Sequence, residues 1–155
     1  MLNRTVLLVE DFENDVVLMW RSWKMEAVPA GLQVVTDGQQ ALDYLAGNGE
    51  FSNREKFPLP CLMLLDLKLP HVSGMEVLKR VRTETALKAL PVLVLTTSGL
   101  ERDVIEAYQC GANAFVIKPS SVRDLAMLVR LIRDFWLGVN QLPRLDVETE
   151  LSLGP

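Results

Sequence analysis

Histidine and cysteine are scarce in this chain: His71 stands alone and Cys61 and Cys110 are the only thiols among 155 residues. One histidine excludes a histidine-based catalytic triad and any multi-histidine metal site. The cysteines lie far apart, with no CxxC or Cys/His spacing, and read as free thiols of a reducing cytosol. No apolar run approaches the roughly 18 to 20 residues that a membrane span requires. Near the N-terminus only Val6 to Val9 is apolar, and acids follow at once, which is no signal peptide. Basic blocks are missing too. The net charge is -4, which speaks against non-specific attraction to nucleic acid or an anionic membrane. Internal repeats and low-complexity tracts are absent.

What is present has the length of one domain and nearly half apolar residues, 49%, enough for a sizeable core. Short apolar runs alternate with amphipathic stretches. Strands are predicted at Thr5 to Val9, Leu32 to Thr36, Cys61 to Leu65, Val92 to Thr96 and Ala114 to Ile117. Val6 to Val9, Leu62 to Leu65 and Val92 to Leu95 are apolar throughout, the pattern of parallel strands covered on both faces. Between them, Val16, Trp20, Trp23 and Ala27 form one helical face, stopped by Pro29. Asp37 caps the next helix, which points Ala41, Leu42 and Leu45 inward and ends near Gly47. Two later helices open with the capping boxes Ser98-x-x-Glu101 and Ser121-x-x-Asp124. Five alternations of strand and helix predict an α/β fold with a central parallel sheet and right-handed crossovers. Asn48 to Pro60 reads as an unusually long polar loop, and Gly138 to Pro155 as a partly disordered tail.

Doubly wound sheets bind ligands beyond the carboxyl ends of their strands. There the sequence places Glu10-Asp11 after the first strand, Asp66 after the third, Thr96-Thr97-Ser98 at the fourth and Lys118-Pro119 after the fifth. Singly, Asp11 reads as a helix cap, Asp66 as a turn residue, Thr96 as a strand end and Lys118 as a solvated lysine. Their joint placement carries the signal. Three converging carboxylates repel one another and call for a cation, and all-oxygen ligation suits Mg²⁺. A metal, a lysine and a threonine hydroxyl are chemically sufficient for phosphoryl transfer if one carboxylate is the nucleophile.

These segments resemble the receiver domains of two-component response regulators across about residues 4 to 137. The matching pieces are Leu7-Leu8-Val9-Glu10-Asp11, Leu64-Leu65-Asp66-Leu67-Lys68-Leu69-Pro70 with Gly74, Val94-Leu95-Thr96-Thr97-Ser98, Gly111-Ala112 and Phe115-Val116-Ile117-Lys118-Pro119. The chain is most similar to the small single-domain regulators that partner bacterial phytochrome kinases, through Glu10-Asp11, the long loop before the third strand, and Phe135-Trp136-Leu137 with Leu142-Pro143. The resemblance implies a flavodoxin-like sheet in the order 2-1-3-4-5 with five helices, a receiver body over residues 1–137 and a tail over 138–155. It also implies a cytoplasmic protein that accepts a phosphoryl group from a sensor histidine kinase, with no catalysis beyond its own phosphorylation and dephosphorylation.

Residue by residue, Asp66 would be the phosphoacceptor. Glu10, Asp11, Asp66 and the backbone carbonyl of Lys68 would coordinate Mg²⁺, Glu10 through a water. Thr96 would bind the phosphoryl group and Lys118 would pair with it, ahead of a cis Lys118–Pro119 bond. Phe115 would be the aromatic switch, here without the hydroxyl of a tyrosine. Lys68 and Ser98 would border the path of attacking water. The switching face would comprise the fourth helix, fifth strand and fifth helix.

The sequence marks that face independently. Along Leu125 to Trp136, eight apolar residues span about 200° of the helical wheel, roughly twice the arc needed to pack on one sheet. The excess predicts a homodimer or partner face through Met127, Leu131 and Phe135, extended by Val104 and Tyr108. Pro91, Met75 and His71 read as structural or exposed. Two rivals share the architecture. An FMN-binding electron carrier needs a phosphate cradle where Glu10-Asp11-Phe12-Glu13 stands. An aspartyl-phosphate phosphatase commonly has an acid where Lys68 stands. The tail is too short for a DNA-binding unit, so direct transcriptional control is not expected.

Overall fold

The computed structural model describes residues 3–145. Five strands, β1 (Thr5–Val9), β2 (Gly31–Val35), β3 (Leu62–Leu65), β4 (Val92–Thr96) and β5 (Ala114–Ile117), alternate with five helices, α1 (Glu13–Met25), α2 (Gly38–Ala46), α3 (Gly74–Thr83), α4 (Glu101–Gln109) and α5 (Val122–Leu131). All strand pairs are parallel, in the order β2-β1-β3-β4-β5. This is the flavodoxin-like arrangement. Side chains of β1, β3 and β4 are buried throughout, which is why their sequences are apolar rather than alternating. β5, at an edge, is only half covered and ends on an exposed Ile117.

Two apolar layers flank the sheet. On one side α2, α3 and α4 pack over Leu7, Val9, Met63, Leu65, Val92 and Val94. On the other, Met19 and Trp23 of α1 and Leu128 and Val129 of α5 pack over Val6, Leu8, Leu62, Leu64, Leu93 and Leu95. Each such aliphatic side chain taken from water contributes about 1.5–3 kcal/mol before chain entropy is counted.

Several local expectations are corrected. β2 begins one residue early, because the Gly31 N–H joins the ladder on Arg4 O at 2.9 Å while Thr36 N–H turns to the Gln40 side chain at 3.1 Å. The buried face of α1 runs through Met19 and Trp23. Trp20 is 38% exposed, with the Lys24 ammonium 5.6 Å from its ring centre, and Ala27 lies past the helix end at φ 50°. Ser98 does not cap α4; its hydroxyl donates to Asp103 instead. Ser121 and Asp37 do cap, accepting from Asp124 N–H at 3.1 Å and Gln40 N–H at 2.7 Å. Gly47 ends α2 at φ 72°, in the left-handed region that glycine tolerates.

The segment 48–60 is less open than its composition suggests. A 3₁₀ turn, Gly49–Ser52, buries Phe51, whose ring centre lies 5.2 Å from Tyr44 and 5.1 Å from Phe57. Arg54 donates to the carbonyls of Tyr44 and Leu45 at 2.7 and 2.8 Å, closing the end of α2. After α5 the chain continues helically, with wider π turns, over Ile132–Val139, because Ile132 and Leu137 still find cover. Leu142 then packs half-buried on the same side. The expectation of disorder beyond Leu145 lies outside the described residues.

Candidate functional site

The strand order reverses at β1, so β1 and β3 diverge to opposite helical layers and leave a crevice at their carboxyl ends. The ladder runs one residue past each strand: Glu10 N–H donates to Val35 O at 3.0 Å and Asp66 N–H to Val9 O at 3.1 Å. These bonds fix the two acids side by side. Glu10 is 3% and Asp66 5% exposed, whereas Asp11 faces solvent. One carboxylate oxygen from each of Glu10, Asp11 and Asp66 lies within 4.8 Å of the others.

Lys118 follows β5, held by its N–H on Thr96 O at 2.8 Å. Its ammonium is 2.8 Å from Asp66 Oδ2 and 2.9 Å from Asp15 Oδ2, and it also pairs with Glu10 Oε2. The remaining oxygens have backbone donors: Phe12 N–H on Glu10 Oε1 at 3.0 Å, and Lys68 N–H on Asp66 Oδ1 at 3.2 Å. The Lys68 side chain is exposed. Thr96 is fully buried at the end of β4. Phe115 sits opposite Val94, half-buried against the layer of α2, α3 and α4. The Lys118–Pro119 bond is trans, correcting the cis form that the resemblance implied.

Burial pushes the Glu10 carboxyl up to about 7, against the lowering pull of Lys118 and the Phe12 N–H, and the charge on Asp66 adds to the rise. For Lys118, burial works against the charged ammonium. Its hydrogen bonds to Asp66, Glu10 and Asp15 outweigh that cost and hold its pKa above the usual lysine range. One ammonium therefore stands against four carboxylates, two of them buried. The donors are all oxygen and the site is short of positive charge, so the residues present fit a hard divalent cation.

Gly74 opens α3 directly beneath the main chain of Asp66 and Leu67. A Cβ there would lie 2.0 Å from Asp66 O and 2.7 Å from Leu67 Cα, so only glycine lets helix and loop approach this closely. The predicted partner-face residues lie on α4 (Val104, Tyr108), α5 (Met127, Leu131) and the helical segment after it (Phe135): Tyr108, Met127, Leu131 and Phe135 are each about half exposed, and Val104 is half-buried. Asp15 escaped the sequence reading. Four residues after Asp11 and in the first turn of α1, it looks like an acid favoured by the helix dipole, and nothing local points to Lys118.

The five-stranded doubly wound sheet thus carries an acid pocket, with a lysine ammonium in it, at its switch point. The chain belongs to the response regulator receiver domain family, which it matches over residues 6–130. Receiver domains are phosphorylated by histidine kinases and bind Mg²⁺ at an acidic pocket; they are response regulators, not classical enzymes. The chain is 39% identical over 141 residues to the probable methanogenesis regulatory protein FilR2 of Methanothrix harundinacea, covering 89% of this chain and 86% of that one. It is 39% identical over 140 residues to response regulator Rcp1 of Synechocystis sp., covering 90% and 93%. A solved structure of the phosphorylated cyanobacterial phytochrome response regulator RcpA superposes with a TM-score of 0.84 at 35% identity, over 92% of this chain and 99% of that one. No helix among the described residues is long and apolar enough to cross a membrane.

Proposed function

We propose that Asp66 is the phosphoacceptor of a single-domain response regulator in a two-component relay, with a sensor histidine kinase as donor. The observation that carries this reading is the contact between Asp66 Oδ2 and Lys118 Nζ at 2.8 Å, beside oxygens of Glu10 and Asp11. In the transfer, an Asp66 carboxylate oxygen bonds to phosphorus, the bond from phosphorus to the donor's imidazole nitrogen breaks, and that nitrogen keeps the electron pair. Glu10, Asp11, Asp66 and the Lys68 carbonyl are the residues to hold Mg²⁺, which when bound supplies charge neutralisation to the phosphoryl oxygens. Lys118 pairs with the phosphoryl group and the Thr96 hydroxyl donates to it. Water later attacks the phosphorus, the bond from phosphorus to the Asp66 oxygen breaks, and inorganic phosphate leaves with the carboxylate restored. The chain catalyses only its own loading and discharge.

Phosphorylation replaces the single negative charge of the Asp66 carboxylate with the roughly two negative charges of an acyl phosphate. Thr96 and Phe115 convert that charge into a rearranged α4, β5 and α5 face, biasing a two-state element. Val104, Tyr108, Met127, Leu131 and Phe135 form a homodimer or partner surface there. The receiver body is residues 1–137, with 138–155 as an appended tail. Similarity to Rcp1 and RcpA supports a bacterial phytochrome as the kinase, and the composition supports a cytoplasmic setting without nucleic acid or membrane partners. The test is phosphotransfer from candidate kinases with Mg²⁺. Wild type gains label and Asp66→Asn gains none; labelling of Asp66→Asn at the wild-type rate overturns the assignment.

A further inference from the structure

The ammonium of Lys118 has three N–H donors, and three carboxylates occupy them: Glu10, Asp66 and Asp15. Glu10 and Asp66 belong to the oxygen cluster that fits a cation, and Asp15 does not. The third partner is thus the one that a metal leaves alone. The Asp15 side chain is 33% exposed and that of Lys118 12%. Both border a cavity of about 100 Å³ whose wall combines Leu8, Leu18, Met19, Leu95 and Leu125 with Ser120 and Ser121, partly apolar surroundings in which an ion pair is screened less than at an open surface. Glu13 and Asp15 both lie in the first turn of α1, where the helix dipole favours either; of the two, it is Asp15 that reaches Lys118.

We infer that Asp15 is a positioning residue that retains Lys118 beside Asp66 when a divalent cation claims Glu10 and Asp66, so that the lysine does not compete with the metal for those carboxylates. This rests on the acceptor reading above. Without Asp15, the displaced ammonium has no alternative acceptor among its present partners, and metal entry must break its contacts uncompensated. The residue thereby links the first turn of α1 to the end of β5 and sets how readily the site loads.

The experiment measures Mn²⁺ affinity by electron paramagnetic resonance on the full chain, with thermal unfolding confirming that each variant is folded. Asp15→Asn is expected to weaken Mn²⁺ binding about fivefold or more, and Asp15→Glu to restore it to within about twofold. In a Lys118→Ala background, Asp15→Asn is expected to change affinity less than about twofold, because there is no lysine left to retain. Equal losses in both backgrounds overturn the inference, since Asp15 would then act as a bare charge; so does no loss in the wild-type background. If Asp15→Asn does not fold, Asp15→Ser carries the same comparison. A wild-type chain that binds no Mn²⁺ sinks the acceptor reading itself. One that binds it equally with and without Asp15 sinks only this inference.

Discussion

The two sides of the sheet are closed by different forces. On the side of α2, α3 and α4, the rings of Tyr44, Phe51 and Phe57 lock together within 5.9 Å of one another. Arg82 there donates to Gly111 O at 2.9 Å, Leu90 O at 2.7 Å, Lys88 O at 2.9 Å and Asn113 Oδ1 at 2.8 Å. On the side of α1 and α5, ion pairs sit at both ends: Asp15 with Lys118, and Glu26 with Arg130 at 2.9 Å. Apolar residues of α5 and the helical segment after it meanwhile stay uncovered, with Met127 and Phe135 50% and Leu131 58% exposed. Aromatic interlock and arginine bonds to main-chain carbonyls have no ready substitute once broken. Ion pairs can change partners at little cost. Arginine bonds to the main chain occur on the side of α1 and α5 too, from Arg133 to Glu26 O at 2.7 Å and from Arg4 to Leu137 O at 2.8 Å. The aromatic knot on one side and the uncovered apolar residues on the other are therefore what set the two apart.

Three substitutions test that contrast. The largest effect is expected at Phe51→Ala, which opens a hole in the aromatic knot and costs about 3–5 kcal/mol in urea unfolding. A loss under about 1 kcal/mol would show that the segment 48–60 is draped over the sheet without stapling it. Tyr44→Phe is expected to cost about 1 kcal/mol near neutral pH, leaving Pro58 O without the hydroxyl that donates to it at 2.8 Å. Burial pushes the Tyr44 phenol from 10.0 up to about 12. Between those values the native chain keeps a proton that the unfolded chain releases, so stability falls as pH rises through that window. The Phe variant should show a shallower fall over pH 10 to 12, and parallel curves for the two proteins would contradict this. Leu131→Ser, among the uncovered apolar residues, is expected to shift stability by no more than about 0.5 kcal/mol. Its signature is in sedimentation at tens of micromolar, as a move from dimer towards monomer. A wild-type chain that sediments as a monomer would leave this uncovered surface without a self-partner.

Thr5–Val9 and Val92–Thr96 were legible at both ends, since strands covered on two faces advertise themselves as uninterrupted apolar runs. The half-covered edge strand Ala114–Ile117 was legible too, from its short apolar run ahead of Lys118-Pro119. The acids and the lysine of the rim were legible because each directly follows such a run. Helical orientation was harder to read. Taking tryptophan as the inward residue of α1 favoured Trp20, whereas Met19 fills that place and the Trp20 ring lies under Lys24. Contacts across sequence distance left no local trace. The partner of Asp15 lies 103 residues away, and Phe51 and Phe57 look like strays in a polar stretch until α2 brings Tyr44 to them. Ser98 shows the limit of motif spacing: its hydroxyl met a carboxylate, Asp103, before it met a helix N–H.

The glycine beneath Asp66 has a mechanical consequence. With a single hydrogen separating the opening of α3 from the main chain of Asp66 and Leu67, the two are meshed like gear teeth, with little play between them. A displacement of the peptide at Asp66 and Leu67 cannot be absorbed by a repacking side chain, because position 74 has none. A shift at the strand end therefore meets the backbone of α3 directly, main chain against main chain.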